Sequence, residues 1–143
     1  MVEPKQVSLP TLQITDTDMR ALRKVVDRFT DGRLGESAEL LELELDRASV
    51  VPEASIPPDV VTMRSRAAFE DIETRKRREL VLVYPNESDP AEGKVSVLAP
   101  VGLALLGLRV GDTIRWPMPR KRAANLKLLE VCYQPEAEGA FDR

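Results

Sequence analysis

Asp31 and Glu36 are carboxylates placed where the chain could present acid chemistry at a turn, and Arg33 lies between them. A hard divalent cation needs several oxygen ligands, and a neighbouring guanidinium opposes it, so the stretch Asp31, Arg33, Leu34, Glu36 makes a poor metal site. Glu36 and Glu39 read better as acids that favour the N-terminal end of a helix. The 143 residues include no histidine, which removes Ser-His and Cys-His nucleophile pairs, imidazole metal ligands and a histidine pH switch. Cys132 is the only cysteine, so neither an internal disulfide nor a multi-thiolate zinc site can form, and a reducing cytoplasm is the expected compartment. No catalytic group, metal or cofactor is expected from these residues.

Charge narrows the field further. Lys and Arg number 21 against 24 Asp and Glu, a net charge of −3, which argues against a nonspecific grip on nucleic acid through overall charge. Residues 1–52 carry 7 positive and 10 negative groups and residues 94–143 carry 8 and 5, so the acidic excess lies toward the N-terminus. Two basic runs, Arg75-Lys76-Arg77-Arg78 and Arg120-Lys121-Arg122, fall between expected strands and read as solvated turns. Six aromatic residues are few for stacking single-stranded bases. The N-terminus lacks a signal-peptide pattern, and no apolar run approaches the ~20 residues of a membrane span.

The elements that must position these groups follow from periodicity. Met19, Leu22, Val26 and Phe29 are spaced 3-4-3, as are Ala38, Leu41, Leu45 and Ala48. This is the narrow seam of helices that pack against one partner. Folded back antiparallel, the two runs pair Phe29 with Ala38, Val26 with Leu41, Leu22 with Leu45 and Met19 with Ala48. A helical hairpin over 16–49 is expected, with Asp31 to Gly35 at its tip. Thr15 should cap the first helix with Asp18 at its third position, Ile14 should staple onto Met19, and Gly32 should end the helix in a left-handed conformation. Pro52, Pro57 and Pro58 set a boundary near residue 53.

Beyond it come β-type runs at Val60–Phe69, Glu79–Tyr84, Lys94–Leu98, Asp112–Trp116 and Leu126–Tyr133, with a short apolar helix over Pro100–Gly107. The fold class is therefore α+β: an N-terminal helical arm over 1–52, then a domain over 53–143 whose antiparallel or mixed sheet packs on one helix.

The stretch Lys94-Val95-Ser96-Val97-Leu98-Ala99-Pro100-Val101-Gly102-Leu103-Ala104-Leu105-Leu106-Gly107-Leu108-Arg109-Val110-Gly111-Asp112 resembles the C-terminal, FKBP-like domain of the bacterial Gre transcript-cleavage factors. There a strand leads to Ser-Pro, then Gly-x-Ala-Leu-Leu-Gly, then Val-Gly-Asp. Glu87 to Lys94 is similar to that family's preceding loop. Asp59 to Arg66, Leu82-Val83-Tyr84-Pro85 and Tyr133-Gln134-Pro135-Glu136-Ala137 narrow the resemblance to the Rnk family, small Gre relatives with a short helical arm named as regulators of nucleoside diphosphate kinase.

The resemblance implies RNA polymerase as partner, bound at the rim of the secondary channel. It also implies two departures. Leu98 and Ala99 stand where Gre factors carry an acid and a serine before the docking proline, so Leu98, Ala99, Pro100 and Val101 are expected to form an exposed apolar shoulder that docks on polymerase. At the arm tip Arg33 replaces the first catalytic acid, while Glu36 keeps the second. A noncatalytic regulator that competes with Gre-type factors is expected. The alternatives are an active transcript-cleavage factor, which would need Asp31 together with Glu36, and an FKBP-like peptidyl-prolyl isomerase, which the few aromatics disfavour.

Overall fold

The computed structural model describes residues 12–116 and 124–139. The basic run Arg120-Lys121-Arg122 lies outside the described residues.

The chain enters through β1 (Gln13–Thr15) and passes directly into α1 (Asp16–Phe29). Thr15 caps this helix as expected, its hydroxyl oxygen accepting from the Asp18 N–H at 3.0 Å. The end of α1 differs from expectation, because Gly32 does not adopt the left-handed conformation. Thr30 ends the helix instead: its N–H and its hydroxyl both donate to the Val26 carbonyl. The glycine that matters at the tip is Gly35, the first residue of α2 (Gly35–Arg47). A Cβ there would run into the Thr30 carbonyl, so a side chain at 35 would push the helices apart.

The helices meet along the expected seam. Leu22, Val26, Ala38, Leu41 and Leu45 are all buried, and Met19, Phe29 and Ala48 pack partly buried beside them. Arg23 reaches Asp46 at 3.0 Å from one helix to the other, which fixes α2 folding back along α1 close to the deduced register.

Sequence reading missed what happens at the base. After α2 the chain turns at Ala48 into β2 (Ser49–Val51), which runs parallel to β1 with Ile14 opposite Val50. Parallel strands need a crossover of a dozen residues or more, and here the helical pair serves as that crossover. Three-residue strands carry too little alternation to register as a β pattern.

The larger sheet has the order β5-β4-β3-β7-β6, formed by β3 (Arg66–Asp71), β4 (Arg77–Val83), β5 (Lys94–Ser96), β6 (Thr113–Trp116) and β7 (Ala124–Tyr133). All its pairings are antiparallel except β4 with β5. Two register shifts between β3 and β7 curl it. The expected strand Val60–Phe69 is divided: Val61 exchanges hydrogen bonds with Gly107 and Leu108, a turn occupies Thr62–Ser65, and only Arg66 onward joins the sheet.

The apolar helix α3 (Pro100–Leu105) has Pro100 in its first turn, as expected, and lies against β5, β6 and α2. One hydrophobic cluster therefore runs from Leu22 and Leu41 in the arm through Leu103 and Leu106 to Leu82 and Leu128 in the sheet. Gly107, at φ +80°, joins the parts: its carbonyl accepts from the Gln13 N–H at 3.3 Å, and a Cβ there would press on Leu12.

Candidate functional site

The tip residues lie in and just after the connection between α1 and α2, as the sequence implies. Asp31, Arg33, Leu34 and Glu36 are all exposed, with Glu36 in the first turn of α2, where the helix dipole favours an anion. No group of three or more Asp, Glu, Cys or His residues among the described residues is arranged to hold a metal ion.

The expected docking shoulder needs correction. Ala99, Pro100 and Val101 are half-buried, but Leu98 is only 2% exposed and belongs to the central cluster. The turn from β5 into α3 aims it inward, and its N–H donates to the Ser96 hydroxyl at 3.0 Å. An apolar residue at this position has the central cluster open to it, whereas a charged one would have to stay at the surface.

The basic run at 75–78 is exposed, as expected, but only Arg75 and Lys76 lie in the turn: Arg77 and Arg78 already belong to β4, opposite Glu70 and Phe69 of β3. Arg75 approaches Glu70 at 3.5 Å, and Arg77 lies 3.7 Å from Glu79 and 3.6 Å from Glu130.

A second cluster, which sequence reading did not foresee, lies at the base of the arm around the turn Thr62–Ser65. Three stretches that carried the family resemblance converge there. Gln134 Nε2 donates to the carbonyls of Pro57 (2.8 Å) and Val60 (2.9 Å), clamping the approach to the turn. The Thr62 hydroxyl donates to Glu136 Oε1 at 2.8 Å, which leaves the Ser65 hydroxyl to donate to Thr62 Oγ1, also at 2.8 Å. Arg64 holds φ at +68°, an uncommon conformation for a side-chain-bearing residue. It pairs one guanidinium edge, Nε and Nη2, with Glu87, Nε lying 3.2 Å from each carboxylate oxygen, and sits 5.1 Å from the centre of the Tyr84 ring. That hydrogen-bonded pairing lowers the Glu87 pKa.

The arm is tied to this turn by Asp18. Its carboxylate accepts from the Met63 N–H at 3.1 Å and from the Tyr84 hydroxyl at 3.4 Å. Burial outweighs these bonds, Glu136 adds repulsion, and the pKa rises from 3.8 to about 6. Burial likewise pushes the Tyr84 hydroxyl up. Because the folded chain holds the Asp18 proton more tightly than the unfolded one, the associated stability is present below pH 3.8 and is lost as pH rises through about 6. The full loss is about 3 kcal/mol at 1.36 kcal/mol per pKa unit. Asp18→Asn should therefore gain on the wild type between about pH 4 and 7 and level off above that, read by urea unfolding at each pH. A stability difference independent of pH would refute this.

Beside this cluster a groove of about 660 Å³ runs between α1 and the turn Pro85–Glu87. Arg20, Lys24 and Arg28 line one wall and Arg64 and Tyr84 the other. The signal for it was present as basic residues four apart on the polar face of α1, but a charged helix face by itself reads as solvated.

Residues 56–133 match the family model described as transcription elongation factor, GreA/GreB, C-terminal. The chain belongs to the GreA/GreB family. It is 42% identical over 135 residues to the regulator of nucleoside diphosphate kinase of Escherichia coli K12, covering 94% of this chain and 98% of that one. It is 30% identical over 115 residues to the transcription elongation factor GreA of Solidesulfovibrio magneticus, covering 80% and 70% respectively. Its fold is similar to that of the GreA/GreB elongation factor from Nitrosomonas europaea, with a TM-score of 0.70, 38% identity and coverage of 87% of this chain and 100% of that one. The nearly full-length match to the nucleoside diphosphate kinase regulator places this Gre-family chain with the Rnk proteins.

Proposed function

We propose that the protein is a noncatalytic transcription regulator that binds RNA polymerase near the secondary channel and competes there with Gre-type factors in the cytoplasm. Names of relatives support the transcriptional setting, since GreA proteins are transcription elongation factors. Within this reading residues 1–52 act as a short coiled-coil arm and residues 53–143 as an FKBP-like docking domain. Ala99, Pro100 and Val101 form the docking shoulder, with Leu98 as its buried support.

The observation that carries the proposal is the tip. Arg33 places a guanidinium three residues before Glu36, and no carboxylate besides Asp31 lies in the connection between the helices. These residues do not fit a shared Mg²⁺ ion, so no cleavage step is drawn through them. Reach argues the same way: α1 has 14 residues, about 21 Å at ~1.5 Å per residue. Docking needs neither the acid pair nor a long arm. The test is retention of the protein on immobilised core polymerase, followed by titration with a GreA factor. Dose-dependent release is expected, and retention unaffected by a large excess of GreA would remove competition from the account.

A further inference from the structure

We propose that the groove at the base of the arm is a docking site for an acidic amphipathic helix of a partner protein. The inference stands on side-chain placement and does not depend on the polymerase reading. Two stripes run along α1 into the groove: Arg20, Lys24 and Arg28 are exposed, and Ala21, Val25 and Phe29 beside them are half-buried. Both repeat every four residues, about 6 Å per step and about 12 Å in all at 1.5 Å rise.

A helix laid along this wall would meet apolar side chains on one line and cations on the adjacent one, so its complement carries glutamates or aspartates four apart beside an apolar edge. Tyr84 and Pro85 close the opposite side, and Leu34, 42% exposed, extends the apolar lining toward the tip.

Charge selects the sign of the partner. Arg20, Lys24 and Arg28 have no carboxylate partner among the described residues, whereas Arg23 on the flank of the same helix is taken by Asp46. Glu87, the carboxylate in the groove lining, is committed to Arg64. The groove is therefore a positive channel on a chain of net charge −3. A nucleic acid fits less well, since the Tyr84 ring carries Arg64 close to it and its hydroxyl is held by Asp18, which leaves it poorly placed to stack a base.

The probe is a designed helical peptide with glutamate every fourth residue and leucine beside each, labelled for anisotropy and titrated into the full chain. Controls are a scrambled peptide of the same composition, a lysine-for-glutamate peptide and a single-stranded RNA. The glutamate peptide should bind at least about tenfold more tightly than the scrambled one, weaken with added salt, and shift amide resonances along α1 and at 84–87. The triple variant Arg20→Glu, Lys24→Glu, Arg28→Glu should lose the glutamate peptide and gain the lysine peptide; that gain also reports that it is folded. Lys24→Gln alone should weaken binding by a smaller factor.

Equal binding of the scrambled peptide, resonance shifts confined to other surfaces, or tighter RNA binding in the groove would each overturn the proposal. So would self-association in sedimentation that the triple variant abolishes. That result would make the occupant a second copy, whose α2 exposes Leu40 and Leu43 beside Glu36 and Glu39.

Discussion

Leu98→Asp should unfold the protein or bring it close to unfolding rather than yield a folded chain with altered docking. The side chain is 2% exposed and packs in the cluster that α3 shares with the arm and the sheet. Removing a buried leucine's packing costs roughly 2–5 kcal/mol, and an aspartate in its place adds desolvation of a carboxylate that has no partner there. A total above about 4 kcal/mol consumes much of the 5–15 kcal/mol that stabilises an ordinary domain. Leu98→Met, which keeps apolar volume, should cost less than about 1.5 kcal/mol. Denaturant unfolding followed by circular dichroism distinguishes the two. An aspartate variant with an unchanged midpoint would return Leu98 to the surface and restore an exposed shoulder at 98.

Leu41→Ala should destabilise the chain by about 2–5 kcal/mol, with the upper end expected if the seam cannot collapse around the void. Leu41 is fully buried, and the cluster it belongs to is continuous through α3 into the sheet. The loss should therefore appear in a single cooperative transition rather than as fraying of the arm. A contrasting pair is Leu43→Ala, at a position 62% exposed on the outer face of α2, where a change within about 0.5 kcal/mol is expected. Similar losses at the two positions would contradict the register of the helical pair.

Legibility followed the length of each periodic pattern. Four apolar positions per helix at 3-4-3 spacing specified both helices and their facing residues, and Thr15 and Asp18 specified the start of α1. The strands from Arg66 onward were legible because each carries several β-favouring residues between turn signals. β1 and β2 were not, since three residues show no usable alternation and their pairing depends on the helices bringing them together. Gly32 misled because glycine at a helix end permits a left-handed residue without requiring one. The arm-base cluster joins residues 18, 64, 84, 87 and 136, and no spacing rule brings such separations together. What the sequence did offer was three family-like stretches with no assigned role, and these supply most of its members.

The central claim is that the arm occupies the place of a cleavage factor without its chemistry. It is tested most directly with a backtracked RNA polymerase complex carrying end-labelled transcript and Mg²⁺, incubated with the pure protein, with a GreA factor, and with both. The account predicts no shortening of the transcript by the protein alone, and progressive suppression of GreA-driven shortening as it is added. Dose-dependent shortening by the protein alone would contradict it.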